Sequence, residues 1–185
     1  MTRSTTSERD GLAASRFGPT VPREAASLSV WHDAQPAVSN TRFPAADADG
    51  VVAEVDVELG LTRVVWIGTA QDVGKALNPQ SVYGQIEGGT AQGLGLALME
   101  EIQTRDGLIT NASFTDYLIP TALDMPPVEA VLVEEEEPDA PYGVKGVGEP
   151  PTVVSTAAIV AALRDATGRE LTRVPVRPDD IVGLA

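Results

Sequence analysis

The sequence predicts an α+β fold. Three patterns carry that prediction: a stretch from residue 51 in which Val and acidic side chains alternate with a period of two, a glycine-studded helix that opens on Asn78-Pro79, and an Ala/Val-rich helix that Gly168 terminates. Strands and helices are mixed without strict alternation, which favours α+β over a doubly wound parallel sheet.

Residues 1–50 are dominated by Ser, Thr, Ala, Pro and Arg and hold no helical or strand period, so low order is expected there. From Val51 the pattern sharpens. Val51, Ala53, Val55, Val57 and Leu59 alternate with Glu54, Asp56 and Glu58, which puts the acids on a wet face and the apolar residues on a buried one. Gly60 offers a turn, and Val64, Val65, Trp66 and Ile67 supply a second strand, so a hairpin is predicted. Asn78 can cap free amide groups, and Pro79 suits the first helical position. The helix that follows is predicted to run to Ile102.

That helix contains Gly84, Gly88, Gly89, Gly93 and Gly95. Each Gly weakens a helix by roughly 1 kcal/mol relative to Ala. Close backbone packing is the simplest compensation, so the helix is predicted to be buried. Gly84 and Gly88 share one face, as do Gly89 and Gly93. Short strands are predicted over 107–109 and 128–133, and 111–120 reads as a loop. Glu134, Glu135, Glu136 and Glu137 form a solvated run that Pro138 ends. Residues 143–151 are loop, 152–166 helix, and the tail through Val174, Pro175, Val176 and Ile181 extended and docked. The division expected is a poorly ordered segment, 1–50, and a folded part, 51–185.

With 185 residues, 43% of them hydrophobic, the chain can form one globular domain or a piece of a larger one. Aromatic residues are only 4%, so the core must be built from Val, Leu, Ile and Ala. A formal net charge of -14 repels phosphate backbones and anionic lipid surfaces, so neither nucleic acid nor membrane is expected as a partner. The plain reading of the charge is solubility. The absence of Cys excludes disulfides, thiolate zinc sites and iron–sulfur ligation by this chain's own thiolates. A single His, His32, rules out a His-based metal site and reads as solvent-exposed. No apolar run is long enough to span a membrane, and the start MTRSTTSERD lacks a signal-peptide core, so a cytoplasmic location is expected.

Two constellations could carry chemistry. In GVKGVGEPP, residues 143–151, three glycines let a ligand approach the main chain, and Glu149 sits between a Gly and a rigid Pro pair directly before a helix. Glu149 is open to two readings here: a functional carboxylate, or an acid that complements the helix dipole. A Walker-type phosphate loop does not fit, since neither Ser nor Thr follows Lys145. In GQIEGG, residues 84–89, the Gln85 carboxamide both donates and accepts, and so could read a heterocycle edge or simply bond to backbone.

Four blocks, in order and at matching spacing, resemble one family. They are DVGKALNPQSVYGQIEGGTAQGLGLALMEEI, FTDYLIPT, PYGVKGVGEPPTVVSTAAIVAALRDATG and RVPVRPDDIVG. Together they resemble the C-terminal part of the molybdenum-cofactor-binding subunit of xanthine dehydrogenases and aldehyde oxidases, from Val51 to the C-terminus. The resemblance implies a partial molybdopterin-binding domain with Glu149 as catalytic base. It implies Gln85 and Gly148 at the cofactor, and no side-chain metal ligand. It implies oxidative hydroxylation of a purine such as xanthine or hypoxanthine, or of an aldehyde, with oxygen from water. The blocks sit nearer to bacterial purine dehydrogenases than to carbon-monoxide or aldehyde enzymes. Because the family's subunit is several times longer, the resemblance also implies partners: the upstream part of that subunit, plus chains or domains carrying iron–sulfur clusters and FAD. The alternative is a truncated, non-catalytic remnant or interaction module of the same fold.

Overall fold

The computed structural model describes residues 28–33 and 48–184. A four-stranded sheet has the order β1-β2-β3-β6, with β1 Leu28–Asp33, β2 Ala48–Asp56, β3 Leu61–Asp72 and β6 Val128–Val133. β1–β2 and β2–β3 pair antiparallel, while β3–β6 is parallel. The parallel pair requires a crossover. That crossover holds helix α1, Pro79–Leu98, and a two-residue ribbon of β4, Thr104–Arg105, and β5, Leu108–Ile109. Helix α2, Pro150–Thr167, packs on β1, β2 and β3, and α1 packs on α2. A short helix α3, Pro178–Val182, closes the chain.

The alternation predicted for the hairpin places Val51, Ala53 and Val55 in the core. It breaks at Asp56. The Asp56 carboxylate accepts from the amides of Glu58 (3.0 Å) and Leu59 (2.9 Å), and Gly60 turns at φ +71°. This side-chain-capped turn lifts Val57 and Leu59 out of the sheet, leaving both exposed. Against the sheet lie Leu94 and Ala97 of α1, and Ala158, Ile159, Ala162 and Leu163 of α2. The tail completes this core with Leu171, Val176 and Ile181, and the Val176 amide donates to the Ala97 carbonyl at 2.8 Å. The core is thus aliphatic, as the aromatic-poor composition requires.

Four expectations are corrected. First, β1 and the first residues of β2 lie inside the stretch read as irregular; residues 1–27 and 34–47 fall outside the described residues, as does the His32 side chain. Second, α1 stops at Leu98 because the amides of Met99 and Glu100 both turn back to the Gly95 carbonyl, at 2.8 and 2.7 Å. Glu100 folds over Gly95, and its carboxylate accepts the Tyr117 hydroxyl at 2.7 Å, a bond that raises the phenol pKa. Third, the tail is not wholly extended: Pro178 and an Arg177 amide bonded to the Asp180 carboxylate (2.8 Å) start α3. Fourth, α1 is buried on one side only, as described below.

The loop after α1 depends on one side chain. Buried Asn111 donates to the Glu101 carbonyl (2.6 Å) and accepts from the Gln103 amide (2.8 Å). Asn111→Ala orphans both groups, and a loss of about 2 kcal/mol is expected in urea unfolding. An unchanged urea midpoint would remove Asn111 as the anchor.

Candidate cofactor site

The site begins with the seam between the two long helices. A Cβ at Gly89 would lie 2.9 Å from the Pro151 side chain, and one at Gly93 would overlap the Ser155 hydroxyl. Glycine at both positions lets the backbones approach closely. Thr152 then donates to the Gly89 carbonyl (3.1 Å), and Thr156 donates to the Gly93 carbonyl (3.0 Å). Positions 89 and 93 therefore meet 151–152 and 155–156, so the helices run in the same direction.

One turn earlier on α1, and just ahead of the α2 N-cap, the same register brings Gln85 against Gly148. A Cβ built at Gly148 would lie 3.8 Å from Gln85 Oε1. Glu149 follows as the N-cap residue of α2, but its side chain makes no capping hydrogen bond. The acid at the helix start thus has the favourable dipole position without being tied to the helix amides. Gln85, Gly148 and Glu149 are all exposed. Among the described residues, neither the Gln85 carboxamide nor the Glu149 carboxylate has a hydrogen-bond partner. Gly84 and Gly88 lie on the outer face of α1 with open space where a side chain would stand. The glycines of α1 thus divide into a packed face, with Gly89 and Gly93, and an open face, with Gly84 and Gly88.

The glycine loop carrying Gly148 is anchored to the end of β3. Gly74 and Val144 form an antiparallel bridge, and a Cβ at Gly74 would overlap the Gly143 carbonyl oxygen. The Lys145 amide donates to the Val73 carbonyl (3.0 Å), and the Lys75 amide to the Gly143 carbonyl (2.8 Å). The Lys145 ammonium pairs with Asp72 at 2.6 Å, their side chains 6% and 4% exposed. Lys145 is therefore committed to Asp72. Sequence reasoning singled out Gln85, Gly148 and Glu149 as candidates and did not single out Asp72 or the Thr152/Thr156 pair. The threonines carry a visible signal, since their spacing of four repeats that of Gly89 and Gly93; Asp72 carries none.

Among the described residues, no group of three or more His, Cys, Asp or Glu side chains could hold a metal ion, and no helix is long and apolar enough to cross a membrane. An organic group that forms hydrogen bonds fits better than a bare ion: Gly84, Gly88 and Gly148 leave the backbone open, and the Gln85 carboxamide and Glu149 carboxylate have no partner among the described residues.

Comparison with known proteins gives the same class. Residues 8–126 match the family described as the molybdopterin cofactor-binding domain, and the chain belongs to that family. The match includes Gln85 and ends before Glu149. The chain is 39% identical over 135 residues to the 6-hydroxypseudooxynicotine dehydrogenase complex subunit gamma of Paenarthrobacter nicotinovorans, covering 71% of this chain and 17% of that one. It is 37% identical over 142 residues to the xanthine dehydrogenase molybdenum-binding subunit of Escherichia coli O157:H7, covering 76% and 19%. The crystal structure of quinoline 2-oxidoreductase from Pseudomonas putida 86 superposes with a TM-score of 0.70 at 37% identity, over 74% of this chain and 18% of that one. Within its family, the chain is thus akin to the molybdenum-binding subunits of xanthine dehydrogenase and aldehyde oxidase type, and spans about a fifth of the length of the curated relatives it matches.

Proposed function

We propose that this chain is the C-terminal segment of the molybdenum-binding subunit of a cytoplasmic hydroxylase. Its reaction is RH + H2O → ROH + 2 e⁻ + 2 H⁺, and other chains complete the site. The substrate is a purine such as xanthine or hypoxanthine, or an aldehyde. Two of the three relatives above are named for the nitrogen heterocycles xanthine and quinoline, which favours the heterocyclic class. The observation that carries the reading is the placement of Gln85 against Gly148, directly beside Glu149, on the open side of the α1–α2 seam.

When bound, the molybdopterin group supplies the two-electron redox chemistry. Gln85 offers a donor and an acceptor to its edge, and Gly148 lets it approach the main chain. The Glu149 carboxylate takes a proton as water oxygen is transferred to the substrate, a contribution worth roughly 10²–10⁴ in rate. In the complete assembly, the upstream part of the subunit covers the open face and shields this carboxylate from bulk water. Electrons leave through iron–sulfur and FAD partners, because this chain has no Cys to ligate a cluster.

The test is co-expression with an upstream molybdenum-subunit segment and the iron–sulfur and FAD chains. The expected product is a complex with about one molybdenum and one pterin per copy of this chain. A metal-free complex with every such partner would favour the non-catalytic alternative. Gln85→Ala is expected to lower molybdenum occupancy several-fold, measured by elemental analysis of the purified complex. Full occupancy in that variant would remove Gln85 from cofactor binding.

A further inference from the structure

The Asp72–Lys145 pair lies behind the candidate site, with no counterpart in the roles assigned so far. We propose that it is a positioning device: it holds the 143–149 loop in one register on the end of β3, so that Gly148 stays against Gln85 and the chain enters α2 with the Glu149 side chain directed to the same open face. This inference rests on the reading of Glu149 as the base.

Three observations support it. The pair is short, at 2.6 Å, and both side chains are more than nine-tenths buried. Asp72 also accepts the Gly74 amide at 3.0 Å, so one carboxylate grips both strands of the Gly74–Val144 bridge. Only Gly146, Val147 and Gly148 separate Lys145 from Glu149, and no backbone hydrogen bond ties those three to the other described residues. On the far side, buried Pro151 lies against Gly89 and fixes the start of α2. The three residues, two of them Gly, thus bridge two anchors and take their path from them. Removing the anchor at Lys145 frees the segment at its more mobile end.

A buried ion pair is a poor device for stability, since desolvation offsets much of the attraction. It is a good device for register. Any alternative seating of the loop that parts the charges leaves a buried ion unpaired, and that state is strongly disfavoured. An apolar contact at the same place would tolerate small shifts.

The experiment compares Asp72→Asn, Lys145→Met and the double variant, in the full chain and in the assembled complex. Each single variant leaves one buried charge, and Tm is expected to fall by roughly 10 °C. The double variant removes both charges at nearly constant shape, and most of that Tm returns. A merely structural pair would then be fully replaced. As a positioning device it is not: in the double variant, amide exchange at Lys75 and Lys145 is expected to be at least tenfold faster. In the complex, kcat is expected to fall about tenfold at unchanged KM and unchanged molybdenum content. Wild-type amide exchange in the double variant overturns the proposal. So does wild-type kcat in the double variant where Glu149→Gln abolishes turnover. Faster exchange together with a neutral Glu149→Gln keeps the anchoring role and sinks the assignment of the base instead.

Discussion

In an assembled complex, Glu149→Gln is expected to lower kcat by about 10²–10⁴-fold while leaving molybdenum and pterin content unchanged. The change swaps one carboxylate oxygen for an amide nitrogen at nearly constant volume. The helix cap survives it, because the Glu149 side chain caps nothing; the first-turn bonds come from its backbone carbonyl, which accepts from Thr152 and Val153 at 3.0 and 3.3 Å. Any loss of turnover therefore reports on proton transfer rather than on folding. Glu149→Asp keeps the acid but withdraws it by one methylene, and an intermediate kcat is expected from the misplacement. Single-turnover reduction of the enzyme by substrate would separate this step from product release. Unchanged kcat in Glu149→Gln would remove this residue from the mechanism.

The second large effect concerns glycines of opposite character on one helix. Gly93→Val is expected to lower the stability of the chain by about 3 kcal/mol or more, with Tm lower by roughly 6–12 °C. Its Cβ would overlap the Ser155 hydroxyl, and Ser155 cannot yield easily: it is fully buried and bonded to the Pro151 carbonyl at 2.5 Å. Gly88→Ala is expected to act in the other direction. Its Cβ meets nothing within 4 Å among the described residues, so the gain in helix propensity, about 1 kcal/mol, should raise Tm by roughly 2–4 °C. The two substitutions measured side by side test the division of α1 into a packed and an open face. A similar loss in both would show that Gly88 is packed as well.

Local chemistry made much of this fold legible. The Asn78 side chain does accept the Ser81 amide (3.2 Å) ahead of Pro79, and Val128–Val133 forms the strand its β-branched run predicts. What escaped was decided by side-chain hydrogen bonds, some local and some distant in sequence. The period-two pattern over Val57 and Leu59 gave way to a turn made by the Asp56 carboxylate. The early end of α1 depends on the return of Glu100 over Gly95, and Tyr117 holds that carboxylate from 17 residues away. In the site, Gln85, Gly148 and Glu149 were identified through their motifs, and the structure sets Gln85 and Gly148 side by side. Lys145 stands four residues before Glu149 in the same loop. Its true partner lies 73 residues upstream, beyond the reach of any local pattern.

The stepwise match of 85 with 148, 89 with 151–152 and 93 with 155–156 makes the helix seam a ruler for the site. Glycine notches and threonine pegs permit sliding only in whole turns, and one turn of an α-helix is about 5.4 Å. A slip of that size would carry Glu149 clear of Gln85, whereas anything smaller would drive Ser155 into the α1 backbone. The spacing of positions 85 and 149 along the seam is therefore set by helix pitch, and the anchored loop before α2 has only to follow it.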